Sequence, residues 1–321
     1  AITLSYTPYL SKLVNDIGLA SVSYFNRLNE NSAFGVGFRY FSLGEIEFVQ
    51  DEFSEPVIQK PNEFTLDVSY SLRLSDQFGM AIGLRYLRSD LKLQTDDIDA
   101  KAASSFGADI TGYYQSEEQA YNDFNGRWRG GFAIQNLGPK FKYDEEGQEN
   151  FQPTNLRLGG GFDFILDQYN KVGITAEFSK LLVPTPPLLG FDDTNEDGNQ
   201  DADEPTYIVS GQDPDVPFLS GVFQSFGDAP GGFKEELQEF TYALGAEYTY
   251  QDSFAFRAGY FNEHETKGAR KFFALGAGFK YNVINVDLSY LFSASQVQSP
   301  LESTLRFSLT FNLGAGEYNE Y

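Results

Sequence analysis

Cysteine is absent from this sequence, and histidine, tryptophan and methionine occur once each. Without cysteine there is no disulfide scaffold, no cysteine-based zinc site and no thiol nucleophile. The single histidine, His264, falls in the short connection 262–268 and is expected to be solvated. Nucleophilic hydrolysis most often needs a histidine base, and no Gly-x-Ser-x-Gly elbow, HExxH or phosphate loop occurs. The expectation is therefore no enzyme. No run approaches the roughly 18 apolar residues of a spanning helix, which excludes helical membrane proteins. Cations are also scarce, at 23 Lys and Arg against 46 Asp and Glu, a net charge of −23. A chain of that sign repels phosphate, so nucleic acid is not expected as a partner. No signal peptide is seen, because residues 1–6 already read as a strand; the leader of an exported protein would lie outside this sequence.

Large rings are abundant: 31 Phe and 20 Tyr give 16% aromatics in a chain that is polar on average. Such a chain must separate the two kinds of residue at close range, and period-2 alternation does so. In 64–75, Phe64, Leu66, Val68, Tyr70, Leu72 and Leu74 alternate with Thr65, Asp67, Ser69, Ser71, Arg73 and Ser75. The same pattern recurs in 34–40, 78–86, 156–164, 240–250, 284–290 and 302–313. It predicts strands at 1–7, 16–28, 32–50, 62–75, 77–95, 103–118, 125–143, 154–167, 171–183, 236–250, 253–265, 269–281, 283–294 and 302–313.

Connections after even strands are short. Those after odd strands are mostly long, the exception being the one near 266–268. That asymmetry belongs to a transmembrane barrel with short periplasmic turns and long extracellular loops, and an even strand count puts both ends on the periplasmic side. A soluble sandwich also alternates, but its core prefers Val and Ile to rings, and its polar face carries less Gly. Here rings on one face and Gly, Ser, Thr and isolated charges on the other suit lipid outside and a crowded lumen inside. Tyr at strand ends (Tyr6, Tyr24, Tyr86, Tyr143, Tyr250, Tyr281) suits interfacial girdles. The expected fold is all-β, one 14-stranded antiparallel up-and-down barrel over 1–321 in the outer membrane. Lumenal Asp67, Asp163, Glu177 and Glu247 are expected to pair with Arg39, Arg85, Arg157, Arg257 and Arg306.

One loop insertion, 184–235, stands out. Residues 191–230 hold ten Asp or Glu and no Lys or Arg. Residues 193–204 match the calcium loop D-x-[DN]-x-[DN]-G-x5-E. Oxygen ligands at positions 1, 3 and 5, a main-chain carbonyl at 7, a ligand at 9 and a bidentate Glu at 12 wrap one large hard cation, and Gly198 gives the turn. Those roles fall on Asp193, Asn195, Asp197, the Asn199 carbonyl, Asp201 and Glu204. The flanks do not read as paired helices, so the expectation is a structural Ca2+ clip set against a plain solvated acidic tip. Apolar residues on either side, Leu188, Leu189, Phe191, Phe218, Leu219, Val222 and Phe223, either cap the lumen or meet a partner protein.

The segments Ile134-Gln135-Asn136-Leu137-Gly138-Pro139-Lys140 and Pro153-Thr154-Asn155-Leu156-Arg157-Leu158-Gly159-Gly160-Gly161, with the opening Leu4-Ser5-Tyr6-Thr7-Pro8-Tyr9-Leu10, resemble the PorV (LptO) family. That family is the outer-membrane component of the Bacteroidetes type IX secretion system and is similar to the fourteen-stranded FadL barrels. The resemblance covers essentially the whole chain. It implies association with the giant translocon barrel SprA (Sov), receipt of secreted proteins by their C-terminal signal domains, and delivery to the surface attachment complex. It also implies contact through extracellular loops; the seven apolar residues above are chosen on apolarity and exposure. FadL-like chains carry an N-terminal hatch with Asn-Pro-Ala before strand 1, and this sequence begins at a strand without it; either that segment lies outside these residues or the lumen is plugged otherwise, so the state of the lumen is left open. The competing readings are a FadL-like channel for hydrophobic small molecules and a diffusion porin.

Overall fold

A computed structural model describes residues 1–10, 16–49, 56–91, 102–143, 148–192, 194, 201, 204–295 and 304–314. Fourteen antiparallel strands close into a barrel. The first seven are β1 (Ile2–Pro8), β2 (Ile17–Arg27), β3 (Ser32–Leu43), β4 (Asn62–Arg73), β5 (Phe78–Asp90), β6 (Ala103–Gln115) and β7 (Asn125–Leu137). Then come β8 (Asn155–Ile165), β9 (Asn170–Leu181), β10 (Phe240–Tyr250), β11 (Phe254–Asn262), β12 (Lys271–Tyr281), β13 (Ile284–Ser293) and β14 (Leu305–Phe311). Each strand pairs with its chain neighbours, and β1 closes on β14 from Ile2↔Phe311 to Tyr6↔Phe307. Closure removes the sheet edges, which hydrocarbon requires because it offers no partner to a free backbone group.

Register carries the alternation across the sheet. Val36 faces Val68 and Phe38 faces Leu66 on the outer side, while Gly37 faces Asp67 and Asp67 faces Arg85 on the inner side. The outer rings and aliphatics remain exposed; Leu84 and Phe106, on adjacent strands, are 66% and 68% accessible. Lipid takes up such a surface, and the chain is an outer-membrane protein. Among the described residues no helix is long and apolar enough to cross a membrane.

The short turns are built from residues that tolerate them. Gln251 and Asp252 both have positive φ (53° and 50°), and the Ser253 amide returns to the Tyr250 carbonyl at 3.1 Å, a mirror-image turn that suits the twist of the strands it joins. Asp167 accepts from the amides of Tyr169 (2.7 Å) and Asn170 (2.8 Å), a side-chain turn between β8 and β9.

Several predicted strands run too long. The one expected over 32–50 stops at Leu43, since Gly44 takes φ +85° and Asp16 captures the Glu45 amide at 2.7 Å. The chain then starts a separate hairpin, Ile46–Phe48 with Val57–Gln59. Of the strand expected over 77–95, Phe78–Asp90 is strand, and 92–95 lie outside the described residues. The one expected to reach 143 ends at Leu137, where Asn136 (φ 59°) forms a bulge and shifts the register against β6. The one expected from 236 starts at Phe240, because Phe233–Gln238 is helical.

The lumenal carboxylates pair with arginines. Arg85 is buried and reaches Asp67 (2.5 Å) and Asp109 (3.0 Å). Arg257 joins Glu247 and Asp287 (2.6 Å to the latter), and Arg157 stands 3.8 Å from Glu177. Asp163 pairs with Arg129 at 2.8 Å, a partner not anticipated.

Candidate functional site

The long connections and their anchors gather at one rim. On the β7–β8 side the organising residue is Asn136. Its amide donates to Asp109 Oδ1 (2.8 Å), its Nδ2 to the Pro153 carbonyl (3.2 Å), and its own carbonyl accepts from Thr154 Oγ1 (2.9 Å). Arg85 Nη1 completes the knot by donating to Asn136 Oδ1. Gln152, almost fully buried, donates from Nε2 to Ser105 Oγ (2.6 Å) and to the carbonyls of Phe106 (2.8 Å) and Pro139 (3.0 Å). Gly138 lies against the Phe106 carbonyl with no room for a Cβ. A methyl there meets that carbonyl, and Gln152 Nε2 at 2.6 Å. Gly138→Ala is expected to lower barrel stability by about 1–3 kcal/mol, read as a lower urea midpoint of the folded, heat-modifiable species.

The longest connection joins β9 to β10 and contains three units. A two-stranded ribbon pairs Leu188–Phe191 with Thr206–Ser210. Two helices follow, α1 (Phe218–Gln224) and α2 (Phe233–Gln238). Inside the ribbon the acidic segment is clasped at its base. Buried Glu204 accepts from the Thr194 amide at Oε1 (2.8 Å) and the Asp201 amide at Oε2 (3.1 Å). Of the six expected calcium ligands, Asp201 and Glu204 come together here. Asp193, Asn195, Asp197 and Asn199 lie outside the described residues.

The helices are fastened by an ionic cluster that periodicity did not reveal. Lys180, one residue before the end of β9, is 1% exposed. Its Nζ donates to Glu236 Oε2 at 3.1 Å and to Glu239. Lys267, from the β11–β12 connection, donates to Glu235 (2.6 Å) and Glu239 (2.9 Å). Thr185 donates from Oγ1 to Glu239 (2.6 Å) and from its amide to Asp228 (3.0 Å).

Burial pushes the Glu239 carboxyl up, but hydrogen bonds from Lys180, Thr185 and Lys267 outweigh it and hold the group below the usual range. Burial raises Asp228, reinforced by nearby Glu236 and Glu239. Burial alone would lower Lys267, yet bonds to Glu235 and Glu239 raise it. A carboxyl depressed on folding adds stability above its unfolded pKa and loses it as pH falls through the folded one; a raised lysine adds stability until pH rises through its folded value. Asp228, raised on folding, works against the carboxylates as pH rises. Loop anchoring through Glu239 and Lys267 is therefore expected to hold through neutral pH. It should fail as pH falls below the ordinary carboxylate range, read as onset of protease cleavage within 205–238 while the barrel stays folded.

The seven apolar residues expected at a docking surface separate. Leu188 and Leu189 are exposed on the ribbon, at 56% and 55%, while Phe191 is half-buried. Leu219 and Phe223 are exposed on α1, and Phe218 is half-buried. Val222 departs from expectation: it is buried, on the face of α1 where Gly221 packs against Phe151 and Pro184. Phe233 and Leu237 on α2 are exposed and were missed. A six-residue helix is too short for their spacing to have been a signal.

His264 accepts the Thr266 amide at Nδ1 (3.3 Å) and caps the short 3-10 turn Glu265–Lys267, a structural position.

A family model for the type IX secretion system protein PorV matches residues 1–188. The chain belongs to the PorV family. The match spans β1–β9, and with it both PorV-like segments of the Asn136 rim, and ends as the ribbon begins. A PorV-family chain is an outer-membrane component of the type IX secretion system, and that is the role of this barrel. Most of the long loop, with its acidic segment and helices, lies beyond the matched residues. Comparison with curated proteins gives no match.

Among solved structures, the barrel is similar to the toluene transporter TodX of Pseudomonas putida, at 11% identity and TM-score 0.46, covering 97% of this chain and 88% of that one. It is similar to a Pseudomonas aeruginosa FadL homologue, at 12% identity and TM-score 0.42, covering 97% and 89%. LpxR from Salmonella typhimurium matches at 8% identity and TM-score 0.39, covering 97% and 99%.

Proposed function

We propose that this PorV-family barrel is a non-enzymatic docking component of the secretion system. On this reading it binds the SprA (Sov) translocon and the C-terminal signal domains of secreted proteins, and passes them to the surface attachment complex. The observation that carries the reading is the loop ribbon. A lone two-stranded ribbon is marginal in water, and this one exposes Leu188, Leu189, Tyr207, Ile208 and Val209 together. Apolar groups on alternate positions give it two such faces, which suits burial against another protein. The lumen, by contrast, is crossed by arginine–carboxylate pairs, which favours a scaffold over a carrier of apolar molecules.

The test is a pull-down of the full chain from native membranes. The parent is expected to bring down the translocon barrel or secreted proteins. A variant with Leu188→Asp and Leu189→Asp should lose roughly 30-fold or more in recovery, the equivalent of about 2 kcal/mol for a central apolar contact. Equal recovery from parent and variant would remove the ribbon from the interface.

The acidic segment within the ribbon is proposed to hold Ca2+ through Asp193, Asn195, Asp197, the Asn199 carbonyl, Asp201 and Glu204, ordering the loop for docking. The Glu204 clasp at its base supports this by bringing the twelfth position back to the second. Calorimetry on the intact protein should give calcium binding with Kd within roughly 10⁻⁶–10⁻³ M, lost in Asp197→Ala. No calcium-dependent heat in the parent removes the site.

A further inference from the structure

The two loop helices are inside out for a water-facing surface. On α2, Phe233 and Leu237 lie one turn apart and are 78% and 56% exposed, while Glu236 is buried. On α1, Leu219 and Phe223 form a second exposed pair, and Gly221 and Val222 face inward. A surface helix normally presents its charges and hides its apolar stripe.

Lys180 explains where the helices sit. Along β9, Thr175, Glu177 and Ser179 face the lumen, and Ser179 bonds Thr241 of β10 at 2.6 Å on that side. Ile174, Phe178 and Lys180 therefore face outward, opposite Ala246, Tyr242 and Phe240. Phe178 is exposed to lipid, but Lys180, two residues further, is covered. Its cover is the loop: Glu236 and Glu239 take its charge, and the Phe226 ring lies 6.0 Å from its Nζ, with Phe240 at 5.5 Å. The segment from Phe226 to Glu239 thus folds against the outer wall at the rim of β9 and β10.

The height matches the edge of the membrane. The eleven residues of β10, Phe240–Tyr250, climb about 25 Å at ~3.4 Å per residue and a tilt of ~40°, the height of the apolar band of an outer-membrane barrel. Tyr250 lies at the periplasmic boundary and Phe240 at the extracellular one. A lysine at that boundary can snorkel to the headgroups at little cost; here the acidic side of α2 takes its charge instead, which turns Phe233 and Leu237 away from the barrel. The exposed pairs are apolar and uncovered, as are Phe178, Tyr242 and Leu244 on the wall.

We propose that α1 and α2 form an interfacial shelf that seats Leu219, Phe223, Phe233 and Leu237 in the headgroup–acyl boundary of the outer leaflet. Apolar residues on short interfacial helices gain their burial there. The shelf tethers one end of the ribbon to the bilayer beside β9 and β10.

The chain has no cysteine, so single introduced cysteines report alone. Phe233→Cys, Leu237→Cys and Phe223→Cys variants, each with Leu244→Cys as wall control and Leu189→Cys as ribbon control, are labelled with a polarity-sensitive fluorophore. Full-length protein is placed in phosphatidylcholine–phosphatidylglycerol vesicles carrying a lipid with a doxyl quencher high on its acyl chain, and folded barrel is confirmed by heat-modifiable mobility. Labels at the shelf positions should be blue-shifted and lose emission to the doxyl lipid about as much as the Leu244 label. The Leu189 label should be quenched only by aqueous iodide. Shelf labels that behave like the Leu189 label overturn the proposal. Labels that are aqueous in vesicles but shielded in native membranes also overturn it, and assign the patch to a protein partner.

Discussion

Replacing Lys180 with alanine is expected to release the helical half of the long loop from the barrel. The substitution leaves Glu236 and Glu239 together in a buried site beside Asp228, with Lys267 the one remaining cation bonded to the cluster among the described residues. Breaking a buried ion pair by removing one partner costs about 3–5 kcal/mol. Local opening of the loop should therefore rise by roughly a hundredfold or more, since each 1.4 kcal/mol is about tenfold. Limited proteolysis of the folded protein in vesicles would read this as rapid cleavage within 205–238, with the barrel still heat-modifiable. The combination of Lys180→Met with Glu236→Gln and Glu239→Gln should recover much of the protection, because the uncompensated charges go with the cation. Equal cleavage of parent and Lys180→Ala would mean that the cluster does not hold the loop.

Replacing Arg85 with alanine should weaken the barrel itself. This guanidinium links Asp67 of β4, Asp109 of β6 and the bulge at Asn136 of β7, with its side chain 10% exposed. Without it two carboxylates are left near each other, and Asn136 loses its lumenal anchor. The expected loss is about 3–5 kcal/mol, seen as a marked fall in the urea midpoint. Arg85→Lys should rescue little. Nε, Nη1 and Nη2 each serve a different partner, and an ammonium cannot reproduce that fork. A lysine variant as stable as the parent would reduce Arg85 to a point charge.

Much of the barrel was legible because its signal is repeated in every strand. Strand number, order and direction follow from period-2 alternation and from connection lengths, both of which are local in sequence. The lumenal pairing of Asp67, Glu177 and Glu247 was legible too, since an inward carboxylate on one strand meets an inward arginine on the next. Strand ends at the rim were not. Gly44 and Asn136 stop their strands by backbone conformation, and β-like composition continues past both. Residues 236–239 were read as strand because a six-residue helix with outward Phe233 and Leu237 leaves too little sequence for a 3.6-residue period to show. Val222 looked available because apolarity does not say which side of a helix packs.

Lys180 is the instructive omission. Alternation put a lysine on the lipid side at the extracellular edge, where it either snorkels to the headgroups or takes a partner. The partners it takes, Glu236 and Glu239, are more than fifty residues away along the chain, beyond the reach of any local pattern. The ribbon was half legible. Leu188 and Leu189 were chosen for apolarity, but their pairing with Ile208 and its neighbours across the acidic segment is a tertiary fact.

The ribbon is where this secretion component is expected to meet its partners. A photo-crosslinking amino acid at Leu189 of the full-length protein, activated in native membranes, tests it most directly. The expected product joins the barrel to the type IX translocon or to the signal domain of a secreted protein, and a crosslinker placed at lumenal Ser69 gives neither. Absence of both products at Leu189, together with steady single-channel conductance of the lone barrel in a planar bilayer, would contradict docking and make the protein a pore.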